Sequence, residues 1–453
     1  MSSWKGESLH LSISGHSHGP SICMTLNGVP AGYAVNMEKL QAFLKRRAPG
    51  NDPLSTARKE PDIPHFQSGL VNGETTGSTI SAEIYNTNVK SSDYADLANC
   101  PRPGHADYTA KVKYGMDYDT AGGGHFSGRL TAPICVAGGM CLQWLNEMGI
   151  HIAGHIGAIG GIQDVPYSLD GINPQTEILA SDFPVIDHER REQMCEQIRN
   201  AKADGDSIGG VIECVVTGLP AGVGGPLFDG LEGKLSQALF GIPAIKGVEF
   251  GAGFHAANLR GSENNDAYTI LDGKVQTLSN HAGGILGGIT TGMPLTFRLA
   301  IKPTPSIAKP QQTVNMRTMQ NTQITINGRH DPCIVPRAVP VVEAVTALVL
   351  FDALLSKKQV KRLDLKILRR NIDQIDDKLI PLFLERLEIA RQIGQYKKEN
   401  DLPIYDPKRE KDKLRDIAEK VGEDFSDYIK SLYATIFEIS KDYQNRNNSI
   451  DKI

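Results

Sequence analysis

From Leu363 onward the apolar residues fall at a helical period. Leu368, Ile372, Ile375, Leu379 and Leu382, then Ile389, Ile393 and Tyr396, step alternately by four and three, the a/d seam of a helix that packs on another helix. One position in that register is charged, since Arg386 stands where a seam residue belongs. A second helix is predicted after the LPIYDP break, over about 408–420, and a third over about 425–445. Three helices in fewer than 100 residues make too thin a bundle to bury such a seam, so a helical dimer is expected.

The preceding chain has a different pattern. Short β-rich runs (Gly210 to Val216, Pro294 to Ile301) mix with helical ones (Glu189 to Ala203, the Ala-rich Val335 to Leu355), which predicts an α+β domain. Glycine is dense up to about residue 330 and then almost vanishes, with only Gly394 and Gly422 beyond it. The break divides the chain into domains 1–358 and 359–453, with the KKQVKR run at 357–362 as a solvated linker leading into the first C-terminal helix. There is no internal repeat and no low-complexity tract.

The length of 453 residues agrees with two domains. A net charge of -4 gives no basic footprint for nucleic acid. The seven cysteines are scattered without a CxxC pair, which argues against a disulfide framework or a zinc site. The N-terminal residues lack an apolar core of the signal-peptide kind, and no run of 18 or more apolar residues is present, so a soluble, cytoplasmic protein with no membrane partner is expected.

Arg386 sets the chemical question for the helical domain. A guanidinium on a seam is costly unless paired, so it meets either a protein carboxylate or an anionic ligand. Lys397 lies eleven residues on, about 20° around the helix and roughly 16 Å along it, so the two cations could converge on a small dianion. Arg369, about 25 Å away along the same helix, is too far to share that ligand and could serve only a partner's site. Asp406, Arg409 and Glu410 open the second helix, and Ser440 and Gln444 stand four apart on the third.

The stretch LRRNIDQIDDKLIPLFLERLEIARQIGQYKKENDLPIYDPKREKDKL, with YATIFEISKDYQ after it, resembles the all-helical chorismate mutases over residues 363–446. The resemblance implies a rearrangement of chorismate to prephenate without covalent catalysis. The family's site positions fall on Arg369, Arg386, Lys397, Asp406, Arg409, Glu410, Ser440 and Gln444. Cations would grip the two carboxylates in a chair-like conformer while Lys397 and Gln444 donate to the ether oxygen. In family dimers the counterpart of Arg369 reaches the neighbour's site. Pro381, inside the first helix, is a departure expected to kink it.

In the larger domain, histidines sit in Gly- or Pro-flanked loops at SGHSHGP (His16, His18) and RPGHAD (His105), where an imidazole is a reasonable acid/base. Arginines recur throughout, and GGGHFSG and HAGGILGG fit neither a P-loop nor a dinucleotide fingerprint. No metal site is expected. The residues by themselves indicate an enzyme acting on an anionic small molecule.

Twelve motifs in order, among them SGHSHGP, RKEPDIPHFQSG, RPGHADYTAKVKYG, GLPAGVGGPLFDGLEGKLSQALF, KGVEFGAGF, NHAGGILGGI, KPTPSI and GRHDPC, resemble chorismate synthase over residues 8–355. The resemblance implies a βαβ sandwich assembled as a homo-oligomer, a tetramer or dimer of dimers. It implies anti-1,4 elimination of phosphate from 5-enolpyruvylshikimate 3-phosphate, dependent on reduced FMN. Carried over by position, His18 and His105 are the acid/base pair and Asp331 a partner of the flavin. Arg47, Arg102, Arg129 and Arg337 hold the phosphate and carboxylates. Flavin contacts fall on His125, Phe126, Ser127, Ala244, Gly287, Arg329, and on Lys302, Pro303, Thr304, Pro305 and Ser306.

The chain departs from that pattern in places. GGGHFSGRLT stands where many members have GGGRSSARET, placing His125, Phe126 and Leu130 at an arginine, a serine and a glutamate. Pro53 and Ala48 replace arginines, and Pro243 an asparagine. No segment is left over for a flavin reductase, so NADPH is expected to act only indirectly, through a separate reductase. The fusion of two enzymes competes with two other readings: a synthase with a non-catalytic chorismate-binding or dimerisation module, and a flavin-binding protein of altered chemistry.

Overall fold

A computed structural model describes the chain except residues 1, 51–53, 55, 57–59, 88–98, 120, 168–180, 182, 272, 327–329, 360–364 and 451–453. The chain divides into two compact units, Met1–Val360 and Lys361–Ile453.

The first unit is built on two five-stranded antiparallel sheets. One contains Ser2–Lys5, His10–Gly15, Ser21–Asn27, Ile80–Tyr85 and His65–Ser68 in that spatial order; the other contains Ile162–Gln163, His151–Ile159, Gly210–Thr217, Leu295–Ile301 and Ile245–Phe250. Strand alternation fixes their inner faces: Ile22, Met24 and Leu26 are buried on one sheet, and Leu295, Phe297, Leu299 and Ile301 on the other. Helices α1 (Met37–Arg47), α2 (Asp107–Tyr114), α3 (Thr131–Glu147), α4 (His188–Ala203) and α5 (Leu231–Leu239) precede the long α6 (Val335–Gln359). Helix α3 packs on the first sheet, α6 on the second, and the two helices pack on each other between the sheets.

That middle position explains the composition of α6. Val335–Ser356 is long and apolar enough to cross a membrane by length and composition, but its most apolar window is 89 % buried inside the fold, so it is the core helix of a sandwich. The helices approach so closely that a Cβ on Gly138 of α3 would lie 2.3 Å from the Ala344 carbonyl oxygen of α6. Two ion contacts fasten the layers. Arg46 binds Glu343 at 2.6 and 2.9 Å, and Glu343 also accepts the Gly154 N–H at 3.0 Å. The buried Asp352 accepts the N–H groups of Glu7, Ser8 and Leu9, holding the turn between the first two strands against α6.

The second unit consists of α7 (Leu365–Glu399), α8 (Pro407–Val421) and α9 (Glu423–Ile450). Helix α7 runs unbroken past Pro381, which is exposed. Of the seam register, Arg386 reaches α9, whereas the described apolar seam residues do not form the stripe that meets it. Among the described residues Ala390 and Gly394 are the buried positions of α7, and a Cβ on Gly394 would lie 2.9 Å from Gln444 Cγ of α9. Ile375, Leu379, Leu382 and Ile389 stay at least half exposed in the single chain.

Candidate active site

The first unit encloses a cavity of about 740 Å³, at the upper part of the range for ligand pockets. Its shape begins with Gly122, Gly123 and Gly124, whose φ angles of +58°, +86° and +53° belong to the left-handed region. A Cβ at Gly122 would fall 1.7 Å from the His18 ring, and one at Gly123 would fall 3.3 Å from His105 Nε2. Only glycine therefore lets this loop lie between the two histidines. Ser17 supports the arrangement, with its hydroxyl 3.2 Å from His18 Nδ1 while donating to the Gly122 carbonyl.

His105 is oriented from behind. Its Nδ1 lies 2.6 Å from Asp107 Oδ1, and Arg102 donates to the same carboxylate from Nε at 2.7 Å and Nη2 at 2.8 Å. Burial opposes ionisation of Asp107, but the hydrogen bonds from Arg102 and His105 outweigh it and hold the carboxyl well below the usual range. An ionised Asp107 accepts a hydrogen bond from Nδ1–H, which leaves Nε2, the atom facing Gly123, as the nitrogen turned toward the cavity. Arg102 also reaches Ser306 at 3.1 Å across the cavity wall.

The other arginines are held in the same manner. Arg47 and Arg129 share Asp62, Arg47 through Nε at 2.8 Å, and Arg129 further donates to Asn86 at 2.9 Å. Arg337 donates to Asp331 at 2.6 Å and to the Arg47 carbonyl at 3.0 Å. Burial pulls Arg129 and Arg337 down from the ordinary guanidinium value, a sign of cations in low dielectric that an anionic ligand would relieve. Lys302 is lowered by burial and then by the neighbouring Lys246, so this end of the cavity carries cationic excess.

The cavity brings together most of the residues named from sequence. His105, Asp331, the four arginines, His125, Phe126, Ser127, Ala244, Lys302, Thr304, Pro305 and Ser306 line it, and His18 stands directly behind Gly122. Pro303 packs toward Gly209 and Gly287 lies in the exposed turn between Ile285–Leu286 and Ile289–Thr290; neither lines this cavity. Arg329 and Pro53 lie outside the described residues. His125 faces the N-terminal hairpin: Nε2 lies 2.6 Å from the Ser2 hydroxyl and Nδ1 3.1 Å from the Gly15 carbonyl. Sequence reasoning missed Asp62, Asp107 and Lys246. All three lie inside the quoted motifs, but no residue-level signal tells which acids turn toward the arginines.

In the second unit Arg386 Nη1 donates to Ser440 Oγ at 2.5 Å, and its guanidinium stacks 5.8 Å from the Phe437 ring. Among the described residues no carboxylate pairs with Arg386. Lys397 donates to the Ile404 carbonyl at 2.7 Å and keeps two N–H groups for other acceptors. Gln444 is buried on α9 with Oε1 lacking a partner. Glu410 lies 3.2 Å from Lys441. Asp406 is the N-cap of α8, accepting the Arg409 N–H at 3.0 Å, so its carboxylate has a structural task that the sequence reading did not give it. Arg409 is exposed, and the side chain of Arg369 lies outside the described residues.

A family model for chorismate synthase matches residues 9–355. Curated chorismate synthases from Pyrococcus abyssi (48 % identical, covering 78 % of this chain and 98 % of the relative) and Lancefieldella parvula (46 %, covering 79 % and 97 %) are similar to it. The chain belongs to the chorismate synthase family. A solved structure titled as the crystal structure of chorismate synthase matches with TM-score 0.61 and 30 % identity over 78 % of this chain and 93 % of the other, so the sheet–helix–sheet sandwich is the fold of the chorismate synthases. A second family model, chorismate mutase type II, matches residues 368–445, across α7, α8 and α9. With both domains present, the chain is a bifunctional shikimate-pathway enzyme, a lyase joined to an isomerase.

Proposed function

We propose that the synthase unit eliminates phosphate from 5-enolpyruvylshikimate 3-phosphate at the arginine-lined cavity, and that the mutase unit rearranges the resulting chorismate to prephenate. The observation that carries the first half is the glycine loop held between His18 and His105. Chorismate synthases use reduced flavin, and the cavity residues fit FMN: Thr304 Oγ1 is buried on the wall without a partner, and Lys302 with Lys246 offers charge for a phosphate. Ser127, Ala244, Lys302, Thr304, Pro305 and Ser306 would hold it, with His125 bracing the loop through Ser2. Reduced FMN, when bound, supplies the electron-rich group that lets phosphate leave without net redox change.

The chain's own groups do the rest. Arg47, Arg102, Arg129 and Arg337 supply the positive charge that binds the substrate's phosphate and carboxylates. His105, as the imidazolium that Asp107 stabilises through Nδ1–H, is placed to give its Nε2 proton to the departing phosphate, and His18 moves a proton on the other side of Gly122. Asp331, held by Arg337 on the cavity wall, would be a partner of the flavin. The apolar walls at Ile334, Ala338 and Val341 limit water.

In the mutase unit Arg386 and Lys397 grip the two carboxylates of chorismate, with Arg409 and a partner chain's counterpart of Arg369 completing the cationic set. Lys397 and Gln444 donate to the ether oxygen as its bond lengthens. Chorismate's one non-acidic donor is its ring hydroxyl, so an ionised Glu410 accepts there. Dimerisation is supported by the exposed seam of α7, and a larger homo-oligomer by the exposed Leu227, Phe228 and Phe254 of the synthase unit. Seven free cysteines fit a cytoplasmic setting.

One assay tests both halves. With 5-enolpyruvylshikimate 3-phosphate and externally reduced FMN, wild type releases phosphate and forms prephenate, whereas Arg386→Ala releases phosphate and accumulates chorismate. An Arg386→Ala variant making prephenate at the wild-type rate refutes the mutase assignment. Full anaerobic turnover with FMN and NADPH alone refutes the requirement for a separate reductase.

A further inference from the structure

Lys441 belongs to none of the site positions discussed above, yet α9 places it next to Ser440, which holds Arg386, and three residues before Gln444. Its Nζ lies 3.2 Å from Glu410 Oε1 and 3.5 Å from Oε2, so it bridges both oxygens of one carboxylate. The same Nζ stands 4.7 Å from the Tyr405 ring centroid, on the segment joining α7 to α8. Both side chains of the pair are less than one-third exposed. Lys441 is thus held from two directions, with its charge directed at Glu410.

The site gives this pair a task. Chorismate carries two carboxylates, and a bare Glu410 beside it would repel the ligand that Arg386 and Lys397 attract. Half-buried charges a few ångströms apart interact through an effective dielectric well below that of water. A cation seated on Glu410 cancels that repulsion and fixes the carboxylate's orientation, leaving an oxygen lone pair for the substrate hydroxyl.

We infer that Lys441 is a positioning and specificity residue of the mutase site, neutralising Glu410 so that it can bind the hydroxyl of a dianionic substrate. The inference rests on the reading of Glu410 given above. The hydroxyl is not a reacting atom, so its bond is equally strong in ground and transition states, and Lys441 contributes uniform binding.

The test uses the full-length enzyme with supplied chorismate. Lys441→Met and Lys441→Gln raise KM about fivefold with kcat within about twofold of wild type, and Lys441→Arg restores KM. In a Glu410→Gln background, Lys441→Met has no further effect on KM, because no negative charge remains to be cancelled. An unchanged KM in Lys441→Met and Lys441→Gln overturns the inference while leaving the role of Glu410 intact. The same KM rise in the Glu410→Gln background also overturns it, since Lys441 would then act independently of Glu410. If Glu410→Gln alone changes neither KM nor kcat, the reading of Glu410 fails and the inference falls with it.

Discussion

Nδ1 of His105 lies 2.6 Å from Oδ1 of Asp107, and that contact decides which nitrogen of the imidazole faces the cavity. Asp107 is buried and ionised, so replacing it by asparagine leaves Arg102 facing an amide and lets the His105 tautomer reverse. Asp107→Asn is expected to lower synthase kcat by about 10²- to 10³-fold, the usual size of a general acid's contribution. Prephenate formation from supplied chorismate should stay at the wild-type rate. Selective 15N labelling of histidine reads the tautomer directly, and an unchanged tautomer would remove the mechanism argued for Asp107.

Gly122 lies directly against the His18 ring. An alanine there needs a φ of +58° and puts a methyl group inside the His18 ring position. Gly122→Ala should reduce phosphate release by at least about 100-fold by displacing His18. Gly128, with open space around its Cβ, is the control: Gly128→Ala keeps most of the activity. Equal activity in the two variants would show that the loop geometry is not needed.

Arg386 meets a hydroxyl rather than a carboxylate, so its charge is available to a ligand. Arg386→Ala should lower mutase kcat/KM by about 10²-fold or more, the scale of a lost charge-assisted contact to a reacting anion. Ser440→Ala, which removes only the guanidinium's support, should cost less, about tenfold. The order of the two effects, measured on chorismate, checks the assignment.

The second sheet contains a buried ionic cluster away from the cavity. His155 stands between Asp164 at 3.0 Å and Glu213 at 2.7 Å. Burial opposes its protonation, but the hydrogen bonds to the two carboxylates prevail and raise it above the ordinary imidazole value. A raised folded value contributes stability that is complete below the unfolded value, about 6.5, and is lost as pH rises through the folded one. The Tm difference between wild type and His155→Gln should therefore be larger at pH 6 than at pH 9. A difference independent of pH would mean that folding does not shift His155, and a difference smaller at pH 6 than at pH 9 would mean that it is held neutral.

How much was readable in advance depended on the kind of signal. Helices α4, α6, α8 and α9 and the strands Gly210–Thr217 and Leu295–Ile301 follow from local periodicity, because burial on one face imposes a repeat of 3.6 or 2 on the chain itself. Motif order brought His105, Asp331 and the four arginines to one cavity. It could not bring in Asp62 or Asp107, whose pairing with Arg47, Arg129 and Arg102 depends on which way a buried carboxylate turns.

Arg386 shows where the division falls. The sequence by itself determined that a cation occupies an apolar seam, and that the glycine-rich and glycine-poor parts are separate units, since composition and spacing are properties of the chain. Only the tertiary structure decided that Arg386 faces Ser440 and Phe437 of α9, that the described apolar seam residues of α7 are left exposed, and that Gly394 lies against Gln444. The reason is steric: a helix displays several stripes at once, and the one that meets its neighbour is chosen by how closely two backbones can approach, here at a glycine against Gln444.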